Sequence, residues 1–371
     1  MEKVKLGDIA VLINGDRGKN YPSQADIAEE GDVPFVNAGH LTGRTIDFGD
    51  MNYISKEKYE KLSSGKFEKG DILYCLRGSL GKKAIVNDDV AGAIASSLVI
   101  IRPDYEKVDG DYLMFSLDSP SIKEQLVKAN NGSSQPNLSA ASVREYQIEL
   151  PDINFQKKVV EKLSRVRCVI NERQKELNLL DELIKARFVE MFGDPITNTK
   201  QLETRDLKDV LVLKAGDFTA ASDISDEPTE MHKYPCYGGN GIRGYVEEYN
   251  QDGEYSLVGR QGALSGNVQF AKGQFKNTEH ALLVTPIVEM NSIWLNQLLL
   301  NLDLKRYQTG AAQPGLSVKN LQEIQIIMVS IEEQNSFSEF VKQVDKSKVV
   351  VKKALDEAQL LFDSLMQEYF G

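Results

Sequence analysis

The chain has 371 residues, 41% of them hydrophobic and 27% charged, with a formal net charge of −11. That length exceeds one ordinary core and suits two domains, and the composition is that of a globular rather than a disordered protein. No apolar run approaches the ~18 residues that cross a bilayer, and MEKVKLGDIAVL lacks the features of a signal peptide, so a cytoplasmic protein without a membrane partner is expected.

The first half opens with VKLGDIAVLINGD from Val4. ILYC, KAIV, SLVIIRP and YQIELP follow, short runs bounded by Gly, Asn, Asp and Pro that predict β-strands. DYLMFSLDSPSIKEQLVKA predicts a helical stretch. After it comes the phrase GSSQPNLS, residues 132 to 139. From Phe155 to Phe192 there is neither Gly nor Pro, and Val159, Leu163, Val166, Ile170, Leu177, Leu180, Ile184 and Met191 recur at threes and fours. That spacing predicts one long helix with a coiled-coil seam, about 57 Å long at 1.5 Å per residue.

The second half repeats the plan. An offset of 178 positions lays Gly132, Gln135, Pro136, Leu138 and Ser139 on Gly310, Gln313, Pro314, Leu316 and Ser317. It continues through Gln156 on Gln334 to Phe192 and Gly193 on Phe370 and Gly371. Upstream, RDLKDVLVLKAGD from Arg205 answers the opening segment, including Gly216 for Gly15. YSLV, ALLVTP and EIQIIMV predict strands and SIWLNQLLLNLDLKRY a helix, but the middles align only with gaps. The seam returns as Phe337, Val341, Val344, Lys348, Val351, Leu355, Ala358, Phe362, Leu365 and Tyr369.

An α+β fold is expected, with two β-rich α/β domains, each with flanking helices, separated by two long helices that pair antiparallel and relate the domains by a pseudo-two-fold axis. The expected segments are 1–152, 153–192, 193–329 and 330–371. Leu163, Val166, Ile170, Leu177, Leu180 and Ile184 are expected to pair the first helix with Val341, Val344, Leu355, Phe362 and Leu365 of the second. Each helix would otherwise expose an apolar stripe.

Chemical motifs are sparse. Cys75, Cys168 and Cys236 are far apart and read as reduced packing residues; with His40, His232 and His280 they form no metal-ligand spacing. GGNGIRG contains a literal GxGxxG, yet YPCY before it and strand-like YVEEYN after it point to a turn rather than a dinucleotide site. GSLGKK lacks the spacing and hydroxyl of a phosphate-binding loop. No nucleophile elbow and no acid–base pair stand out.

Polar and basic loop residues remain. RGSLGKK supplies Arg77, Ser79, Lys82 and Lys83, and the matching GRQGALSGN supplies Arg260, Gln261, Ser265 and Asn267. Arg, Lys, Gln and Asn are the types that read base edges in a major groove, and hydroxyls suit phosphates. Taken singly, each is also what a solvent-facing glycine turn carries. Arg243 joins them, with Arg17, Lys19, Arg44, Lys214 and Lys272 as weaker candidates. The repeated phrase reads as structural, a device fastening each head to its helix: its Pro fixes an extended turn and its Gly permits unusual backbone angles.

The duplicated order of these pieces resembles the specificity subunit of type I restriction-modification systems. GD-type loops, the GxxQPxLS phrase, a strand ending at Pro151, a Gln156-bearing helix entry and ELIKARFVEMFGDP carry the likeness over the whole chain, and YPCYGGNGIRGYV is especially similar. The resemblance implies two target-recognition domains that each read half of a split double-stranded DNA site, with a spacer set by the paired helices. It also implies a subunit that catalyses nothing and docks two methyltransferase subunits and endonuclease subunits. S-adenosylmethionine, ATP and Mg would then belong to those partners, with no cofactor or metal on this chain. A coiled-coil scaffold without DNA binding is the alternative that the acidic charge favours, and a methyltransferase-associated enzyme is a more distant one.

Overall fold

Branched and aromatic runs between glycine and proline breaks do become strands. A computed structural model describes residues 2–130, 136–310 and 315–371. Gly132, Gln135, Gln313 and Pro314 of the repeated phrase lie outside these residues. The chain divides into two units, Met1–Glu172 with Ala354–Gly371, and Arg173–Lys353. Each long helix thus has residues in both units.

Unit 1 contains β1 (Lys3–Lys5), β2 (Ala10–Asn14), β3 (Val33–Val36), β4 (Tyr53–Ile54) and β5 (Lys66–Phe67). It continues with β6 (Ile72–Cys75), β7 (Lys83–Ile85), β8 (Gly92–Ile94), β9 (Leu98–Pro103) and β10 (Gln147–Glu149). Its helices are α1 (Leu6–Ile9), α2 (Lys56–Lys61), α3 (Gly110–Ser116), α4 (Pro120–Ala129), α5 (Ala140–Arg144) and the first part of α6 (Ile153–Phe192). One helix was expected over the α3–α4 region; it is two, because Pro120 starts a new helix and Ser119 caps it by accepting from the Ile122 N–H.

Unit 2 contains β11 (Thr204–Asp206), β12 (Leu211–Ala215), β13 (Tyr234–Gly238) and β14 (Gly241–Val246). Then come β15 (Gln251–Gly259), β16 (Val268–Asn277), β17 (Ala281–Pro286) and β18 (Gln325–Ile327). Its helices are α7 (Leu207–Val210), α8 (Ser292–Asn301), α9 (Val318–Gln322) and the first part of α10 (Ile331–Phe370). GGNGIRG forms the β13–β14 hairpin, with Gly238 opposite Gly241, so the expected turn is the observed one.

The two units share a strand order apart from β5, which has no counterpart in unit 2. Unit 2 has a single sheet, β12-β17-β15-β16-β13-β14, while unit 1 has β2-β9-β6-β7 and β4-β3-β8-β5. The parallel pairing of β13 with β16 corresponds to that of β3 with β8. In unit 2 the 10-residue β16 therefore does alone what β7 and β8 do separately in unit 1. That interruption is why the middles align only with gaps. In each unit a two-stranded antiparallel ladder, β1 with β10 or β11 with β18, leads into the long helix.

The helix seams are buried within each unit. In unit 1, Val159 and Leu163 of α6 join Met366, Tyr369 and Phe370 of α10 in a core built on Leu6, Tyr112 and Phe115. Lys162 donates to the Tyr369 hydroxyl at 3.1 Å and Arg167 lies 5.1 Å over the Phe362 ring, so α6 and α10 run antiparallel there. Val166, Ile170 and Leu365 are half-buried, and Leu355 is buried. In unit 2, Phe188 stacks edge-on against Phe337 at 5.5 Å and Lys348 pairs with Asp181 at 2.6 Å, again antiparallel. Ile184, Val341 and Val344 are buried in that core, and Leu177 and Leu180 are half-buried. Cys75 and Cys236 are buried as expected, but Cys168 is exposed on α6, where its Sγ faces Glu172.

Candidate nucleic-acid interface

At one end of each sheet several turns converge, and small residues make the convergence possible. A Cβ on Gly15 would stand 2.8 Å from the Ala95 carbonyl oxygen, and one on Gly216 would stand 2.1 Å from that of Asn277. No side chain fits at either place. Asp16, beside Gly15, is 4% exposed and accepts from the Gly18 N–H at 2.7 Å and from the N–H and hydroxyl of Ser63, each at 2.8 Å. Those bonds, Gly18 first, hold its carboxyl below the usual range. Asp217 is lowered too, chiefly by the side chain of Asn250.

A glycine turn projects from the same end of each unit, stitched into the frame by corresponding bonds. In unit 1 the Leu76 N–H donates to the Ser97 carbonyl and the Leu138 N–H donates to the Leu76 carbonyl, both at 2.8 Å. In unit 2 the Arg260 N–H donates to His280 at 3.0 Å and the Leu316 N–H to Arg260 at 2.9 Å. Arg77 bridges Asn137, and Gln261 bridges Gly315. Gly78 and Gly262 follow with φ of 78° and 74°, the left-handed region that glycine enters without strain. The described part of the repeated phrase thus anchors this turn. Its Leu138 and Leu316 also lie in the same cores as Val159 and Phe337 of the long helices, in keeping with the expected fastening of head to helix.

Two glutamines add hydrogen bonds between each long helix and its unit. Gln156 is fully buried; its Oε1 accepts from the Asp109 N–H and its Nε2 donates to Pro151 and Lys107 carbonyls. Gln334 does the same with Asn291 and Val329. Asp109 and Asn291 in turn cap α3 and α8. Only the coincidence of the two glutamines under the 178 offset signalled this in the sequence.

The predicted site residues divide by burial. Arg77, Ser79, Arg243 and Gln261 are exposed, and Arg260 is half-buried. Lys82 is half-buried with its Nζ donating to the Ala38 carbonyl at 2.9 Å, and half-buried Asn267 donates to Asn240 at 3.3 Å. Two candidates are corrected. Lys83, 3% exposed, is paired with Asp118, and burial pushes its pKa down. Ser265 is 0% exposed and donates to the Gly262 carbonyl at 2.9 Å. Neither presents a donor to a nucleic acid. Of the weaker candidates, Arg44 pairs with Asp111 and lies 5.0 Å over the Phe115 ring, whereas Arg17, Lys19 and Lys214 are exposed. Lys272 is exposed and ion-paired with Glu254 at 3.5 Å.

Among the described residues, no group of three or more His, Cys, Asp and Glu is placed to hold a metal ion, and no helix is long and apolar enough to cross a membrane. Two units built on one frame, each presenting a corresponding glycine turn, define a protein made of a duplicated pair.

Comparison with known proteins identifies which one. The family described as Type I restriction modification DNA specificity domain matches residues 1–180 and 199–358, and the chain belongs to it. It is 29% identical over 322 residues to the type I restriction enzyme EcoprrI specificity subunit of Escherichia coli, covering 82% of this chain and 78% of that one. It is 20% identical over 404 residues to the MjaVIII specificity subunit of Methanocaldococcus jannaschii, covering 96% and 89%. The fold is similar to the crystal structure of a type I restriction-modification S subunit from M. genitalium, with TM-score 0.62, 18% identity and coverage of 100% and 96%. A structure from work on complex assembly and conformational transition of the type I system matches with TM-score 0.57, 18% identity and coverage of 100% and 97%. The chain is a DNA specificity subunit, the non-catalytic part of a type I restriction-modification system.

Proposed function

We propose that each unit reads one half of a split double-stranded DNA site through its glycine turn, and that the chain docks two methyltransferase subunits and endonuclease subunits in the cytoplasm. S-adenosylmethionine, ATP and Mg belong to those partners. The observation that carries this reading is the correspondence of the two turns, with the frame repeated and the exposed side chains different. Arg77, Ser79, Arg260 and Gln261 of the two turns, joined by Arg243 of the β13–β14 hairpin, are the residues offered to DNA, with Lys82 and Asn267 supporting them.

The net charge of −11 fits if the partners supply much of the phosphate contact while local loops of this chain read bases. The affinity of the whole complex then falls steeply with salt, by about 0.9 log units per log unit of salt for each phosphate neutralised. The test is to express the chain with its methyltransferase partner and map modified adenines in the host genome. A bipartite site is expected, and exchanging residues 1–152 for another head should change one half only. A complex that assembles yet leaves no such pattern would favour the scaffold alternative.

A further inference from the structure

We infer that Arg77 and Gln261 occupy one specificity-determining position in the two heads, Arg77 reading a guanine in one half-site and Gln261 an adenine in the other. This rests on the DNA-reading function above and assigns bases within it.

The hydrogen bonds establish the equivalence without reference to sequence alignment. Each residue follows one whose N–H and carbonyl are both taken by the frame: Leu76 bonded to Ser97 and Leu138, Arg260 bonded to His280 and Leu316. Each bridges the same strand of the repeated phrase and precedes a glycine with φ near 75°, 78° at Gly78 and 74° at Gly262. In unit 1 the Cys75 Sγ also donates to the Arg77 carbonyl at 3.0 Å, fixing that backbone further. The backbone is therefore held while the side chain is left to a ligand. Both side chains are exposed, and among the described residues neither makes a hydrogen bond or an ion pair. Their neighbours differ: Lys82, Asn267 and Ser265 all spend donors on the protein itself.

Chemistry then separates the two heads. A guanidinium offers two parallel N–H groups to O6 and N7 of guanine, both acceptors. A carboxamide offers one donor and one acceptor, matching N7 and the N6 amino group of adenine. A rigid turn carrying either group discriminates because the wrong base leaves a donor or acceptor unpaired.

The experiment uses the full chain with its methyltransferase partner and reads modified adenines genome-wide, followed by methylation rates on duplexes altered at single base pairs. For Arg77→Gln the guanine requirement should be lost at one position of one half-site, with preference for that base falling about fivefold or more. Arg77→Lys, which keeps the charge but not the fork, should also lose discrimination. Gln261→Arg should remove an adenine requirement from the other half-site, with the spacer and the opposite half unchanged in every case. The inference is overturned if these variants keep the wild-type sequence, if both half-sites change together, or if the wild-type halves lack the assigned guanine and adenine. It is also overturned if the variants lose methylation everywhere along with a lower melting temperature, which would make these side chains part of the fold. A wild-type complex with no bipartite pattern would instead defeat the functional reading itself.

Discussion

Gln156 accepts a hydrogen bond from the Asp109 N–H at 2.8 Å, locking the first turn of α6 to the residue that caps α3. Its Nε2 also donates to the Pro151 and Lys107 carbonyls at 2.8 and 3.0 Å. Gln156→Leu would leave one N–H and two carbonyls without these partners in a buried place, at about 3 kcal/mol. Gln334→Leu should cost less, because Gln334 makes two such bonds, at 2.9 Å to Asn291 and 3.0 Å to Val329. Chemical denaturation of the two variants should show that order, while the mapped half-sites stay the same.

The left-handed glycine in each turn gives a second expectation. A Cβ on Gly78 or Gly262 meets nothing within 4 Å, so substitution there is costly only through the backbone. Gly78→Ala should destabilise by about 1–2 kcal/mol, the penalty for an L-residue in that region. Gly78→Asn should recover part of the loss, since asparagine tolerates such angles. Equal melting temperatures for the two variants would contradict a purely conformational cost.

Lys83 should behave as a core residue. Its ammonium is buried and paired with Asp118, whose other neighbour is Arg167 at 3.8 Å. Lys83→Met should lower stability by about 2 kcal/mol, less than a fully enclosed pair would lose because Asp118 is partly exposed and keeps Arg167. The salt dependence of DNA binding by the complex should be unaltered, whereas loss of a phosphate-contacting lysine would reduce its slope by about 0.9.

The long helices were legible because a seam without Gly or Pro over almost forty positions has few other readings, and the 178 offset marked both ends of the repeat. The sheet was legible only in pieces: nothing in the residues announces that β16 runs through where β7 stops and β8 begins again. The site failed where burial decides. Lys83 looks like the end of a basic turn, but it is the first residue of a strand buried along its whole length, and its partner Asp118 is 35 positions away. Gln156 showed in the sequence only as a glutamine repeated at the helix entry, because the backbone groups it bonds carry no sequence signature.

Acid should weaken the loop that carries Arg17 through Asp16. The bonds from Gly18 and Ser63 lower the folded pKa of Asp16 below its ordinary value of 3.8. A carboxylate depressed in this way contributes stability that is complete above the unfolded pKa and disappears as pH falls through the folded one. Asp16→Asn keeps one acceptor but turns an amide toward the Ser63 N–H and hydroxyl, which should cost about 2 kcal/mol at neutral pH. The difference in unfolding free energy between wild type and variant should therefore be constant from pH 7 to about pH 5 and shrink below about pH 4, as the wild-type carboxylate takes up its proton. Denaturant titrations of both proteins across that range isolate this group, because every other carboxylate is common to the pair. A gap that stays level down to pH 3 would mean that the charge of Asp16 is not what holds the loop.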